Sequence, residues 1–229
     1  MRPRRSMSEQ EWLQIEKPIP MLAYVQSSIG DRPLRMFALA LYRSYWEYLE
    51  GNDSRAIVTF AESMADNDFP KQQLKEMSEL ASEVYEAYEF NPLCRCIHFL
   101  LRTSMRFENK PFMEYWFGAD NASEVLLFEI QDMENLTGHR VDFSYLCKII
   151  RDIFGNPFRP VTFHTNWRTP TTQSLAQTMY DNRDFSAMPI LGDALEEAGC
   201  DNDDILRHCQ DKSEHVRGCW VVDLVTDRN

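Results

Sequence analysis

The chain has 229 residues, with 24 lysines and arginines against 36 aspartates and glutamates, which gives a formal net charge of −12. A charge of this sign repels phosphate backbones and anionic lipid surfaces, so a general nucleic-acid-binding role is not expected. Apolar residues make up 44% of the chain, which is enough for a hydrophobic core, and only 8 residues are glycine. Because β-rich folds with many tight turns need more glycine, a helical protein is expected.

The N-terminus predicts a helix preceded by a short extension. Ser8 and Glu11 have the spacing of a capping box, in which each side chain bonds a free backbone N–H of the first turn. Met7 is therefore the expected native start, and residues 1–6, with the one basic cluster, are expected to be a flexible extension. Neither a secretory signal nor a run of about 18 apolar residues is present, so we expect a soluble, cytoplasmic protein.

Apolar residues recur at three- and four-residue steps along most of the chain, which predicts helices. The first predicted helix begins at Ser8. The others cover, in chain order, about 31–50, 54–64, 68–90, 93–105, 111–117, 122–136, 143–154, 172–182, 187–198 and 202–209. Caps are expected at Asp142, Ser186 and Asp201. The intervening residues 155–170 contain turn chemistry and one β-like run, 161–163. The final apolar stretch, 218–225, fits a helix or a strand, and helix is preferred.

This pattern predicts an all-α fold, either a multi-helix bundle or an array of helical hairpins with short connections. We expect two parts: a variable helical N-terminal region over residues 7–140, and a compact C-terminal helical module over residues 141–229.

Three segments of the C-terminal part carry a resemblance. They are 151–161 (RDIFGNPFRPV) with Trp167, 188–201 (MPILGDALEEAGCD), and the pair of segments His208-Cys209 and 215–223 (HVRGCWVVD). Together they resemble the signatures of a multi-copy family of uncharacterised bacterial proteins, and residues 7–46 resemble its opening. The family carries no established activity, so the resemblance implies a domain boundary and no mechanism.

The C-terminal cysteines and histidines are the clearest candidate for chemistry. Zinc prefers four sulfur or nitrogen ligands in a tetrahedron, and the sequence offers Cys200, Cys209, His215 and Cys219, with His208 as an alternate. His215 and Cys219 are expected on one face of a helical turn. Such a site would be structural, because four protein ligands leave no position for water. The spacing from Cys200 to His208 is wider than usual, so the preferred interpretation is that these residues pack or cap helices without a metal. No other cofactor is expected.

Enzymatic function has little support in the sequence. The common nucleotide, hydride-transfer, acyl-transfer and HExxH zinc motifs are absent. Cys219, His215 and Asp223 could lie along one helix as a nucleophile with its partners. Catalytic partners normally converge from different elements, so this arrangement is disfavoured.

Residues 156–170 form the second candidate site. This loop combines apolar anchors with cationic donors in an acidic protein, a combination that is enriched at interface hot spots. The candidate partner-binding residues are Phe158, Arg159, His164, Trp167 and Arg168. The simpler alternative, which is preferred, is that Phe158 and Trp167 pin the loop onto the helices.

These observations favour a non-catalytic helical module that binds a protein partner in an interaction or regulatory role. Two alternatives stay open. One is a zinc-dependent hydrolase that uses the C-terminal Cys/His cluster. The other is an acidic decoy that mimics DNA, which requires carboxylates at phosphate-like spacing on one face. We expect no nucleic acid and no membrane among the partners.

Overall fold

The computed structural model describes residues 7–25, 31–49, 51–67, 69–87, 134–135, 138 and 140–228. Every regular element in these ranges is helical, which confirms the predicted all-α class. The helices predicted over 93–105 and 111–117, and all but the end of the one predicted over 122–136, lie outside the described residues. No helix in the described ranges combines the length and the apolar content that crossing a membrane requires.

The described residues divide into two compact units. The first contains residues 16–146, and the second combines residues 7–15 with residues 147–228. This division differs from the sequence-based one at residues 140/141, because it places the N-terminal helix with the C-terminal residues. The contacts that place it there are made by Arg151, whose guanidinium binds backbone carbonyls of Trp12 and Ile15.

Four helices and one 3-10 turn form the described part of the first unit: α2 (Pro18–Val25), α3 (Asp31–Ser44), the turn Trp46–Tyr48, α4 (Gly51–Ser63) and α5 (Lys71–Ala87). Helix α4 packs between α3 and α5. The sequence predicts that α3 continues to about residue 50, but it ends at Ser44. The tighter turn that follows sets the Trp46 ring 3.8 Å from the guanidinium carbon of Arg43, which also pairs with the buried Glu62.

The second unit contains α1 (Glu9–Gln14), most of α6 (Phe143–Phe154), the 3-10 turn Thr165–Trp167, α7 (Pro170–Asn182), α8 (Met188–Glu197), α9 (Asp203–Gln210) and α10 (Trp220–Thr226). Helix α8 packs against α7 and α9, and α10 packs against the same two helices. The apolar core of the second unit includes Ala176, Met179, Tyr180, Met188, Leu191, Leu195, Ile205, Val221, Val222 and Val225.

Local signals placed several helix ends correctly. Ser8 and Glu11 form the predicted capping box, and the carboxylate of Asp142 accepts N–H bonds at the start of α6. The final apolar stretch is helical, as preferred. The β-like run 161–163 forms no strand; Val161 and Phe163 instead pack against the core from an irregular segment.

Two predicted caps were wrong by one residue. Helix α8 begins after Ala187, because a turn in which the N–H of Met188 bonds the carbonyl of Phe185 precedes it. Helix α9 begins after Asn202, whose amide oxygen accepts two backbone N–H bonds, and Asp201 lies outside the helix. This one-residue change in the start of α9 leaves the predicted ligand candidates of this segment within the helix.

Candidate metal centre

Four chemically active side chains converge in the second unit: Asp152, His208, His215 and Cys219. One donor atom from each lies within 4.8 Å of the other three. Asp152 comes from the last turn of α6 and His208 from the last turn of α9. His215 lies in the connection that follows, and Cys219 is the N-cap of α10. The group therefore ties three helices and one loop together.

Glycine and tryptophan set the approach of α6 to α10. Helix α6 ends at Gly155, which has a φ of +62°. A Cβ at this glycine would stand 3.3 Å from the Trp220 ring, so glycine allows the indole to lie close against the helix end. Because Trp220 directly follows Cys219, this contact positions the sulfur near the end of α6, where Asp152 lies.

His215 and Cys219 do not share a helical turn, so that expectation was wrong. Residues 211–219 are non-helical. Gly218, with a φ of +97°, turns the chain, and the N–H of Cys219 bonds the carbonyl of Val216 at 2.9 Å. A side chain at Gly218 would be strained there. The turn brings the two side chains together instead, with Cys219 Sγ 3.9 Å from His215 Nδ1.

The carboxylate of Asp152 is the centre of the group. Its Oδ1 lies 2.6 Å from Nδ1 of His215 and 3.1 Å from Nε2 of His208. Its Oδ2 accepts the backbone N–H of Val216 at 2.8 Å. The same Nε2 of His208 lies 3.1 Å from the sulfur of Cys219. Each donor atom thus has at least two others within 4 Å.

The group is almost closed to solvent. The side chains of Asp152 and His215 are each 4% exposed and that of His208 is 15% exposed. Cys219 is fully buried. The Trp220 ring lies 5.1 Å from the ring of His208 and covers part of it.

Burial and mutual contact change the proton affinities. Burial raises the pKa of Asp152, but hydrogen bonds and charge from His208 and His215 outweigh it, and the pKa is lowered. Burial by itself would lower the pKa of His215. The Asp152 carboxylate and the Asp211 carbonyl outweigh burial, so the pKa of His215 is raised. Burial and the Asp152 charge hold the pKa of Cys219 well above its ordinary value. Without a cation, then, Cys219 is a thiol.

The donor set fits a zinc ion. Zinc–ligand bonds of about 2.0–2.3 Å place tetrahedral ligand atoms ~3.3–3.7 Å apart. The four donor separations given above run from 2.6 to 3.9 Å and bracket that range. Carboxylate oxygen, imidazole nitrogen and thiolate sulfur are all zinc ligands. A dication would also balance the negative charges that a buried carboxylate and a thiolate bring together.

The structure brings together three of the predicted ligand candidates, His208, His215 and Cys219, and leaves the other two outside the group. Cys200 and Cys209 are buried in the apolar core. A Cβ at Gly192 would stand 2.9 Å from Cys209 Cβ, so Cys209 is a small residue at the crossing of α8 and α9. Burial, with a smaller contribution from Cys200, raises the pKa of Cys209 to about 12.

Sequence reasoning missed Asp152. The residue lies three positions after the buried Ile149 and next to the buried Ile153, on a helix with a strong apolar stripe. A carboxylate on such a stripe requires a buried partner. That placement is the sequence signal that could have identified it.

Among the predicted partner-binding residues, Phe158, His164 and Trp167 differ in exposure. Trp167 is 5% exposed and belongs to the core cluster. Its ring meets the rings of Phe163 and His164 edge-on. Phe158 is half-buried, and His164 is exposed. Trp167 therefore anchors the loop, as the simpler alternative expects.

The two arginines of that loop contact the unit itself. Arg168 donates from Nε and Nη2 to the carbonyl of Leu224 and pairs with Asp227 at 2.6 Å. Arg159, half exposed, pairs with Glu9 and reaches Asp204 at 3.8 Å. Both guanidinium groups have intramolecular partners in the described residues.

Comparison with known proteins adds no assignment. No protein-family model, curated protein or solved structure matches this chain at a significant level. The resemblance to the uncharacterised bacterial family therefore stays a prediction.

Proposed function

We propose that this protein is a non-catalytic helical module whose second unit binds one zinc ion through Asp152, His208, His215 and Cys219. The observation that carries the proposal is the convergence of four different donor atoms within 4.8 Å in a nearly closed pocket. These donors come from three helices and one loop, and they meet around the Asp152 carboxylate. A bound ion would link α6, α9 and α10, and its binding energy would add to the folding of the unit.

The closed pocket favours a structural ion over a catalytic one. Catalytic zinc keeps one position open for water or substrate, usually with three protein ligands. Here four residues can coordinate, and the most exposed of their side chains, that of His208, is 15% exposed. This burial weighs against the zinc-dependent hydrolase considered from the sequence. It supports the interaction or regulatory role, in which the ion keeps a protein-binding module folded.

The ligand set also bears on the compartment. The described cysteines, Cys147, Cys200, Cys209 and Cys219, form no disulfide. Cysteines outside disulfides are typical of proteins in reducing compartments such as the cytoplasm. A cytoplasmic location is therefore part of the proposal.

The proposal is tested by metal analysis of the purified protein, prepared without a metal-affinity step. We expect about one zinc per chain. Replacement by Co²⁺ should give the intense visible bands of a tetrahedral site with a sulfur-to-metal charge-transfer band, and Cys219→Ser should lose that band. A protein without metal that also fails to bind added Zn²⁺ or Co²⁺ contradicts the proposal. The group would then be a buried ion pair with a neighbouring thiol.

Four variants separate the two ligand sets. Asp152→Asn removes a ligand that only the structural group contains, and His208→Gln removes one that the sequence-based set includes only as an alternate. Cys200→Ala and Cys209→Ala remove ligands that only the sequence-based set requires. We expect the first pair to lose zinc and the second pair to retain it, and the reverse result contradicts the proposed site.

A further inference from the structure

We propose that the N-terminal segment, residues 8–15, controls how tightly the metal is held, because it fixes the position of Asp152 relative to the other ligands. This inference rests on the proposed zinc site. It assigns Arg151 and Glu9 as positioning residues that touch no ligand atom themselves.

The chain itself does not hold Asp152 near the other ligands. His208 and Cys219 are 11 residues apart, and His215 lies between them. Asp152 is 63 residues before His215. Three donors are therefore collected by one short segment, whereas the fourth depends on how α6 is fixed within the unit.

Arg151, the neighbour of Asp152, joins α6 to the N-terminal segment. Its Nε and Nη2 donate to the carbonyl of Trp12 at 3.0 and 2.8 Å, and Nη2 also donates to the carbonyl of Ile15 at 2.7 Å. These carbonyls lie at the C-terminal end of α1, where the helix dipole gives carbonyl oxygens a partial negative charge that favours a guanidinium. The indole of Trp12 is fully buried and anchors the segment.

Glu9 makes the second connection, and this one reaches two of the three helices that carry ligands, α6 and α9. Its Oε1 accepts a hydrogen bond from Asn156, just after α6, at 2.7 Å and pairs with Arg159. Arg159 also approaches Asp204, on α9, at 3.8 Å. Because α9 carries His208, the N-terminal segment connects the end of α6 to the helix of a second ligand.

This arrangement makes metal affinity sensitive to the N-terminal segment. Residues around metal ligands that orient them typically change affinity by 10–100-fold when they are replaced. The contacts of Arg151 and Glu9 are one step further from the ion. We therefore expect about tenfold weaker zinc binding when either is lost, at the low end of that range.

The test compares Arg151→Gln and Glu9→Gln with matched controls in the full chain. Lys148→Gln removes one positive charge from an exposed position of α6, and Glu197→Gln removes one negative charge from an exposed position of α8. Zn²⁺ affinity is measured by competition with a chelator, at a temperature where every metal-free variant is folded. We expect about tenfold loss in the two test variants and less than twofold change in the controls.

Two further readouts separate positioning from ligation and from general stability. The Co²⁺ spectrum of Arg151→Gln should keep the wild-type band shape, because all four ligands are present, whereas Asp152→Asn should change it. Arg151→Gln and Glu9→Gln proteins that bind Zn²⁺ with wild-type affinity overturn this inference and leave the zinc site intact. A wild-type protein that binds no Zn²⁺ overturns both proposals.

Discussion

The carboxylate of Asp152 meets the imidazole of His215 at 2.6 Å, although 63 residues separate them in the chain. Both side chains are 4% exposed. Hydrogen bonds and charge from His208 and His215 lower the pKa of Asp152, and the Asp152 carboxylate raises the pKa of His215, so their contact favours the charged form of each. Removing one partner of a buried pair typically costs about 3–5 kcal/mol. Asp152→Asn is a better test than Asp152→Ala because the amide keeps the side-chain volume and an oxygen that can accept the Val216 N–H.

Metal removal should lower thermal stability. An ion that binds only the folded state adds about 4 kcal/mol when its free concentration is 1,000 times Kd. We expect the Tm of the zinc-loaded protein to fall when a chelator is added and to recover with excess Zn²⁺. The Tm of Asp152→Asn should respond to neither. A wild-type Tm that is the same with and without chelator contradicts a structural ion.

Gly192→Ala should destabilise the second unit by about 1–3 kcal/mol, because a methyl group has no space at this helix crossing. The added Cβ would lie 2.9 Å from Cβ of Cys209, which cannot move without shifting α9. Urea denaturation measures the loss. Glu196→Ala, at an exposed position of the same helix, is the control and should change stability by less than about 0.5 kcal/mol. If Gly192→Ala is as stable as the control variant, the close packing of α8 against α9 at this point is contradicted.

The stability of the second unit should depend on pH through the carboxylate of Glu9. Hydrogen bonds from Asn156 and Arg159 lower the pKa of Glu9 below its ordinary value in the folded state. Its stabilising contribution is therefore complete above the pKa of the unfolded chain, about 4.5, and is lost as the pH falls through the lowered value. In metal-free protein, Glu9→Gln should be less stable than wild type at pH 7, and the difference should shrink below pH ~4.

The measurement for Glu9 is denaturant unfolding at several pH values between 7 and 3. Glu197→Gln serves as the control, since Glu197 is exposed on α8. Its stability difference from wild type should stay small throughout. A Glu9→Gln difference that is constant with pH would show that the carboxylate charge contributes nothing.

Arg168 should prove to be a stabilising residue of the C-terminal helix. Its guanidinium binds the carbonyl of Leu224 and the carboxylate of Asp227, which caps α10 with a φ of +60°. Hydrogen bonds from charged groups contribute about 1.5–3 kcal/mol, so Arg168→Ala should lose about 2 kcal/mol in urea denaturation. Arg207→Ala, at a side chain 68% exposed, should lose far less. An Arg168→Ala protein as stable as wild type would show that these two contacts do not stabilise α10.

The sequence was most informative where a signal is local. The capping box at Ser8, the cap at Asp142 and the helix end at Gly155 depend on residues within one turn of each other, and all are present. The cap of α9 was displaced from Asp201 to Asn202, because adjacent Asp and Asn compete for the same role with similar energies.

The candidate site shows the limit of that reasoning. Residue type and closeness in the chain identified His208, His215 and Cys219 as candidate ligands. They could not show that Cys209 is a packing residue and not a ligand. Cys209 packs against a glycine on the neighbouring helix, and such a tertiary contact cannot be read from the sequence. Asp152 was missed for the same reason, since its partners lie on segments far along the chain.

The discontinuous second unit has a consequence for biosynthesis. Trp12 leaves the ribosome 139 residues before Arg151, the residue that holds its carbonyl. At about 5–20 residues per second, that interval lasts roughly 7–28 s. During this time the second unit cannot be completed, because most of its residues follow Arg151 in the chain.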